Sequence, residues 1–331
     1  MRVGPGGTMG GTVTFPLRLV PDLRPRVWGG SRLEATLAAA SVAGPIGEAW
    51  VAWDGCLVAT GPEAGRTLAA VVEDDPDVIL GPDGVAAAAG RFPILVKILD
   101  TAAWLSLQVH PDDATAVRLE GPGAVGKTES WYVLAADPGA ELILGVAPGT
   151  TAAEALAAVR DGSLHERARR VPVRTGDVVL VRAGTLHSIG PGILIYELQQ
   201  SSDITYRVSD WGRPPSADRR LHVEESVASL RPSATTTPRG TRLEPDDRLT
   251  AIACEKFVGD LVAVRSEPAE LDTAGRSFHI VTVVDGSLVV EGSGWSEPLD
   301  LFESLVVPAS VGTYAVRPAG SAARAVVARV P

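Results

Sequence analysis

Short runs of Val, Ile and Leu, separated by glycine, proline and Asp-Gly breaks, recur from one end of this sequence to the other. Runs of that length suit single strands of a sheet better than helices, which need longer stretches with a 3.6-residue period. Residues 94–99 and 104–109 contain no breaker and read as buried strands. Residues 130–135 and 142–146 read as a strand pair around Asp137-Pro138-Gly139, and 171–173, 178–181 and 193–199 return to the same pattern between Gly176-Asp177 and Gly190-Pro191-Gly192. Short strands with turns at this spacing predict a mainly β fold, a jelly roll or a similar barrel.

Helices enter as short insertions. Ser31 with Glu34, and Thr151 with Glu154, have the spacing of capping boxes, the first leading into an Ala-rich stretch to residue 40 and the second into a helix ending near Gly162. Residues 66–73, 114–118 and 221–230 also read as helical. Residues 13–20 are β-like, with the prolines of 21–25 breaking the strand, and 48–53 with 56–60 form a hairpin pattern around Asp54-Gly55. Residues 211–216 read as a Pro-rich loop and 231–240 have linker composition. Beyond them, 257–264, 277–284, 287–291, 304–307 and 313–316 form a second all-β series. The expected organisation is a disordered leader over 1–12, with Met9 as an alternative start, a site-bearing β domain over 13–240, and a structural β domain over 241–331.

Composition narrows the partners. A formal net charge of -10 argues against general binding to nucleic acid or anionic membranes, since both demand a basic surface, so an anionic substrate must be met by local cations. No apolar run is long enough to span a bilayer, and the N-terminus lacks the apolar core of a secretory signal. Cys56 and Cys254 stand far apart outside any metal or redox pattern, which fits a reducing cytoplasm.

Three stretches carry candidate chemistry. Gln108 and His110 are two apart in a β-like run, so their side chains project to the same side. Glu129 follows in Gly126-Lys127-Thr128-Glu129, and His187 closes Ala183-Gly184-Thr185-Leu186-His187. Each histidine alone reads as an ordinary polar residue at a strand end, but Gln, His, Glu and His together form a donor set of the kind that holds a zinc-like divalent ion. Gly176 through His187 matches the second cupin motif, with Arg182 where proline is usual. Lys127, two residues before Glu129, would share its cavity on a strand, against the ordinary alternative of a solvated lysine. Arg207 suits bidentate phosphate or oxyanion recognition, with a salt bridge to Asp203 or Asp210 as the competing role. Glu197, near the end of an apolar strand, is costly there unless paired or functional. His165, His222 and His279 read as structural or surface residues, Asp112 and Asp113 as caps, and the tryptophans as packing, with Trp28 in its Gly-rich turn the one nearest to a site role.

Taken together, Trp28-Gly29-Gly30, Gly47-Glu48, Lys97-Ile98-Leu99-Asp100, the stretch from Leu105 to Asp113, Gly126 to Tyr132, Ala183 to His187 and Tyr196 to Arg207 resemble the type I mannose-6-phosphate isomerases of the cupin superfamily. The resemblance implies a cupin catalytic domain followed by a cupin-like structural one. It implies one zinc per chain on Gln108, His110, Glu129 and His187, with Lys127, Glu197 and Arg207 as catalytic residues. It also implies that Ser106, Lys127 and Arg207 bind the sugar phosphate. The implied reaction interconverts D-mannose 6-phosphate and D-fructose 6-phosphate through an enediol or enediolate, in a cytoplasmic enzyme that needs no nucleic acid or membrane. Glu197, Lys127, a histidine and a metal-bound water all remain candidates for moving the carbon-bound proton.

Two other functions compete. A cupin Fe(II) oxygenase would use two histidines and one carboxylate with open positions for oxygen, and the added Gln108 and the cationic pair disfavour it. A sugar-phosphate-binding cupin without turnover would keep the cations but form no fructose 6-phosphate.

Overall fold

The computed structural model describes residues 15–37, 43–214 and 219–331. The mainly β expectation holds. A seven-stranded antiparallel sheet runs Arg239–Gly240, Asp177–Val181, Glu129–Ala136, Ile193–Gln200, Ile94–Thr101, Asp22–Gly30, Ile46–Ala52. Facing it is a five-stranded sheet, Tyr206–Ser209, Leu107–Val109, His187–Ile189, Glu141–Val146, Ala168–Pro172. Leu99, Trp131, Val133, Ile193 and Ile195 of the first sheet pack with Leu142, Leu144 and Ile189 of the second, giving a sandwich core.

The large sheet is covered on its other side too. Val96, Ile98, Tyr196 and Leu198 pack against Leu261, Ile280, Val306 and Val326 of a six-stranded sheet from the C-terminal third. That explains the Ile- and Leu-rich stretches at 94–99 and 193–199, since every residue of the strands Ile94–Thr101 and Ile193–Gln200 is buried. The six-stranded sheet pairs with a four-stranded one, Ala269–Asp272, Thr313–Pro318, Leu288–Gly292, Trp295–Leu299, around a separate core of Val281, Val283, Leu288, Leu305 and Val327. The chain's first described strand, Leu17–Leu19, joins this C-terminal sheet beside Ser304–Val307.

Several local expectations give way to tertiary pairing. The strand Asp22–Gly30 runs through Pro25, because the register breaks there: both Pro25 and Gly30 oppose Ile46, so residues 26–29 bulge out of the ladder. The hairpin around Asp54-Gly55 does not form; Leu57 and Val58 bridge instead to Thr67 and Leu19. Glu129–Ala136 and Glu141–Val146 are strands as expected, but the turn between them carries the chain from one sheet to the other, so they do not pair. Residues 76–87 form a further helix, kinked at Gly81-Pro82. The Thr151 capping box is complete, with its helix Ala152–Asp161 ending at left-handed Gly162. Ser31 precedes the helix Arg32–Thr36 without a side-chain cap, and the Ala-rich continuation to residue 40 and the leader over 1–12 lie outside the described residues. Among the described residues no helix is long and apolar enough to cross a membrane.

The bulge at 26–29 is held by close backbone packing. A Cβ on Gly29 would stand 2.6 Å from the Gly47 nitrogen and 2.7 Å from the Pro45 oxygen, neither of which can swing aside. Gly29→Ala is therefore expected to destabilise the fold by about 1–3 kcal/mol, read as a lower urea midpoint. An unchanged midpoint would mean that the bulge is not fixed by this contact.

Candidate active site

Strand register brings the site residues together. Gln108 opposes His187 on one side and Arg207 on the other, so the three sit in one row across the five-stranded sheet. His110 follows directly after the end of Leu107–Val109, and its carbonyl accepts from Gly184 N at 2.8 Å, which ties the turn before His187 to it. Glu129 opens its strand on the facing sheet, and Lys127 precedes it. Alternation then sorts the large sheet: Lys97, Trp131 and Glu197 face this side, while Ile98, Tyr132 and Tyr196 face the C-terminal core.

The four expected ligands converge. His110 Nε2 and His187 Nε2 lie 3.1 Å apart, and Glu129 reaches them at 3.3 and 3.2 Å. Gln108 Nε2 is 3.2 Å from His187 Nε2. Each ring's Nδ1 sits against a backbone carbonyl, Ile204 O at 2.8 Å for His110 and Thr185 O at 2.9 Å for His187. Those contacts place the ring proton on Nδ1 and aim two bare Nε2 lone pairs at each other, an arrangement that repels unless a cation lies between them. Both oxygens of Glu129 are buried, with Oε2 3.1 Å from the Lys127 ammonium and neither oxygen in a well-angled hydrogen bond. Neutral imidazoles and a fixed carboxylate, their ligand atoms within 4.8 Å of one another, are what a divalent metal needs. Ser106 Oγ donates to Gln108 Oε1 at 3.1 Å. A half-turn of that amide would offer Oε1 to a cation and Nε2–H to the serine oxygen, since the hydroxyl both donates and accepts.

Charges are arranged around this cluster. Burial raises Glu129, but the charge of Lys127, at 3.1 Å, opposes this, and the carboxyl is held well below the usual carboxylate range. Lys127 is itself buried, yet the charges of Glu129, Glu197 and Asp203 lift it above the ordinary lysine value; it is no solvated surface residue. Burial and then Lys127 push His110 down to about 3, keeping it neutral. Burial and then the charge of Glu129 raise Glu197, against Lys97 and Lys127. Glu197 Oε1 accepts from Trp131 Nε1 at 2.9 Å, and Oε2 lies 3.4 Å from Lys97 Nζ.

Ser106, Gln108, Lys127, Glu197 and Arg207 line a cavity of about 560 Å³, and the remaining three ligands adjoin it through Gln108 and Lys127. Asp210, the proposed salt-bridge partner of Arg207, is gripped by Arg213 and Arg219, while Asp203 lies 3.9 Å from Lys97. Among the ionisable wall residues, Arg26, Glu48, Lys97, Arg219 and His222 had no site role in the sequence reading. His222, read as structural or surface, lines the cavity, because the segment after residue 218 folds back on Arg207. Lys97 carried a legible signal, a lysine inside an apolar strand; Arg219 and His222 carried none. Trp28 does reach the wall, whereas His279 is buried against Tyr314 in the C-terminal sheet. Asp112 caps the helix Asp113–Glu120.

Fold and site together define a cupin-type β protein with a buried His-Glu-His cluster suited to a metal ion and a cationic cavity beside it. Residues 17–143 match the phosphomannose isomerase type I catalytic domain. A mannose-6-phosphate isomerase of Bacillus subtilis strain 168 is 32% identical over 311 residues, covering 91% of this chain and 95% of the relative. A mannose-6-phosphate isomerase of Streptococcus mutans is 38% identical over 221 residues, covering 65% of this chain and 67% of the relative. The crystal structure of the mannose 6-phosphate isomerase from Bacillus subtilis superposes with a TM-score of 0.81 at 28% identity, covering 95% of this chain and 99% of that one. The chain belongs to the type I phosphomannose isomerase family.

Glu48 gives the wall a pH signature. It accepts from Trp50 Nε1 at 2.7 Å and from Arg26 at 3.1 Å. Burial raises it, but Lys97 and Arg26 outweigh burial and bring it to about 2, from 4.5. A lowered carboxylate contributes stability above the ordinary value and loses it as pH falls through the folded one, a contribution on the order of 3 kcal/mol. Between pH 4.5 and 2 the urea midpoint of Glu48→Gln should therefore fall less than that of the unaltered protein. Parallel curves would remove Glu48 from the acid response.

Proposed function

We propose that the protein interconverts D-mannose 6-phosphate and D-fructose 6-phosphate, with one zinc ion per chain on Gln108, His110, Glu129 and His187. The observation that carries this is a single cavity in which a metal-suited donor set adjoins Lys127, Glu197 and Arg207. In the forward direction the C2 proton leaves, a proton arrives at C1, and the hydroxyl proton passes from O2 to O1. When bound, zinc supplies an electrophile for the oxygens at C1 and C2.

The residues divide the remaining work. Lys127 stays an ammonium because its neighbours raise it, so it balances negative charge on the sugar oxygens and does not act as a base. Glu197, raised above the ordinary carboxylate value and facing the cavity, is the group we assign to the carbon-bound proton. Trp131 and Lys97 fix its two oxygens. Arg207 binds the phosphate end with its permanent, planar charge. Ser106 orients the Gln108 amide by its hydrogen bond and meets the substrate from the same wall. All these groups come from one chain, so a monomer would be complete. Free thiols at Cys56 and Cys254 support a cytoplasmic setting.

A coupled assay of fructose 6-phosphate formed from mannose 6-phosphate tests the proposal, before and after chelation and again with zinc restored. Activity should disappear and return. A folded, metal-replete protein without turnover would transfer the reading to a binding module, and oxygen uptake in its place would favour an oxygenase.

Two variants separate the roles. His187→Ala should lose bound metal and activity together. Arg207→Ala should keep its metal, measured by elemental analysis, while turnover falls by about 100-fold or more. Near-normal turnover in Arg207→Ala would end its assignment.

A further inference from the structure

Lys127 and Glu129 reach the site from a segment whose first residues stand outside any ladder. The strand begins at Glu129, so the amides of Gly126, Lys127 and Thr128 precede the regular pairing and need acceptors of their own. Each has one. Gly126 N donates to Asp113 Oδ1 at 2.8 Å, Lys127 N to Pro111 O at 3.0 Å and Thr128 N to Gln200 Oε1 at 2.9 Å.

The two side-chain acceptors are joined to each other. Gln200 Nε2 donates to the same Asp113 Oδ1 at 3.0 Å, and Gln200 N donates to Thr128 O at 3.1 Å. Asp113 Oδ2 takes the Lys256 ammonium at 2.7 Å, from the C-terminal third of the chain. Asp112 caps the helix Asp113–Glu120, and Asp113 beside it engages both oxygens outside that helix. The backbones also press together, since a Cβ on Gly126 would stand 2.5 Å from Asp113 N and 2.6 Å from Asp112 C.

Lys127, Thr128 and Glu129 are buried, and Lys127 Nζ lies 3.1 Å from Glu129 Oε2, so a shift of this backbone would carry the ammonium and the carboxylate together. Asp113, Gln200 and Lys256 line a different cavity, of about 550 Å³, whereas Lys127 lines the active-site one. Their influence on the site runs through the segment that they hold.

We propose that Asp113 and Gln200 are positioning residues, which set Lys127 and Glu129 against the histidine pair by holding the amides of Gly126 and Thr128. The inference rests on the metal-isomerase reading above and deepens it by naming what fixes the ammonium and the anionic ligand. The bonds to Gly126 and Gln200 need an acceptor oxygen at Oδ1, which asparagine also supplies. The Lys256 pair is partly exposed on both sides and adds little by itself. Arg207, assigned above to the phosphate end, stands on a separate strand, Tyr206–Ser209, so substrate binding and turnover should respond differently to a displaced Lys127 and Glu129.

The test uses the full chain loaded with zinc, as Asp113→Ala, Asp113→Asn and Gln200→Met, with thermal melts to confirm folding. In Asp113→Ala kcat for mannose 6-phosphate should fall by about 10- to 100-fold while KM stays within about threefold. Zinc affinity, measured with the metal alone against a chromophoric chelator, should weaken by about 10-fold or more. Asp113→Asn should recover most of both losses, although it gives up the charge that faces Lys256. Gln200→Met should repeat the pattern of Asp113→Ala. A loss in Asp113→Asn as large as that in Asp113→Ala would show that charge matters and not the hydrogen bonds, which overturns the assignment.

If the unaltered protein turns over mannose 6-phosphate and Asp113→Ala keeps kcat and zinc affinity within about twofold, the proposal is overturned while the isomerase reading stands. Should the unaltered protein show no turnover, the zinc competition decides. Affinity that weakens in Asp113→Ala and returns in Asp113→Asn supports the positioning role, and equal or absent affinity in all three overturns it.

Discussion

A carboxylate with no exposure to water, held against one ammonium and two imidazoles, sets the terms for this molecule. Glu129 lies at the centre of the sandwich with two imidazole Nε2 atoms and one ammonium around it. An isolated buried charge of that kind costs several kcal/mol. Lys127 offsets part of the cost, but two bare lone pairs facing each other at 3.1 Å add to it. The cluster is therefore at ease only with a further cation, and the surrounding fold holds it in place while that need is met. Four strands from two sheets, the Gly184 turn and the backbone carbonyls of Ile204 and Thr185 all serve to fix these side chains.

The C-terminal third takes part in this without contributing a ligand. Its six-stranded sheet covers the back of the seven-stranded one, so the strands that carry Lys97 and Glu197 are clamped on both faces. Along such a strand the side chains alternate, and Lys97 and Glu197 point to the cavity only because Ile98, Tyr196 and Leu198 are anchored on the other side. A slip of one residue would bury the lysine in the apolar core. Pairing of Leu17–Leu19 with Ser304–Val307 draws the start of the chain into the same clamp.

How much of this was legible depended on whether the signal was local. The strand and helix identities of residues 94–101, 129–136, 152–161 and 193–200 follow from short-range pattern, and so does the pairing of Gln108 with His110 on one side of the chain. Partner choice between strands was not legible. The turn at Asp137-Pro138-Gly139 looks the same whether it closes a hairpin or passes between sheets, and only the facing core decides. Pro25 breaks a strand by local rules, yet a bulge absorbs it because the missing N–H is not needed there. The four candidate ligands could be picked out because their residue types are chemically distinctive. Arg219 and His222 could not, since arginines are common in this sequence and their meaning comes from a main-chain clamp on Arg207 that no spacing announces.

The same contrast bears on how an acidic chain handles an anionic substrate. With a net charge of -10, the protein as a whole repels a phosphate dianion, and long-range attraction cannot bring one in. Recognition has to be short-ranged and positional. Beside the ligand cluster every lysine has its carboxylate, so that end holds charge without advertising it. At the Arg207 end Arg213 and Arg219 share the Asp210 carboxylate. On the function proposed above, a hexose phosphate would set its phosphate toward Arg207 and leave the opposite end of the sugar facing Glu197, Lys127 and the ligand cluster. Orientation precedes chemistry here, because a substrate bound the other way round would set its dianion beside Glu129 and Glu197, two buried carboxyl groups whose partners are already taken.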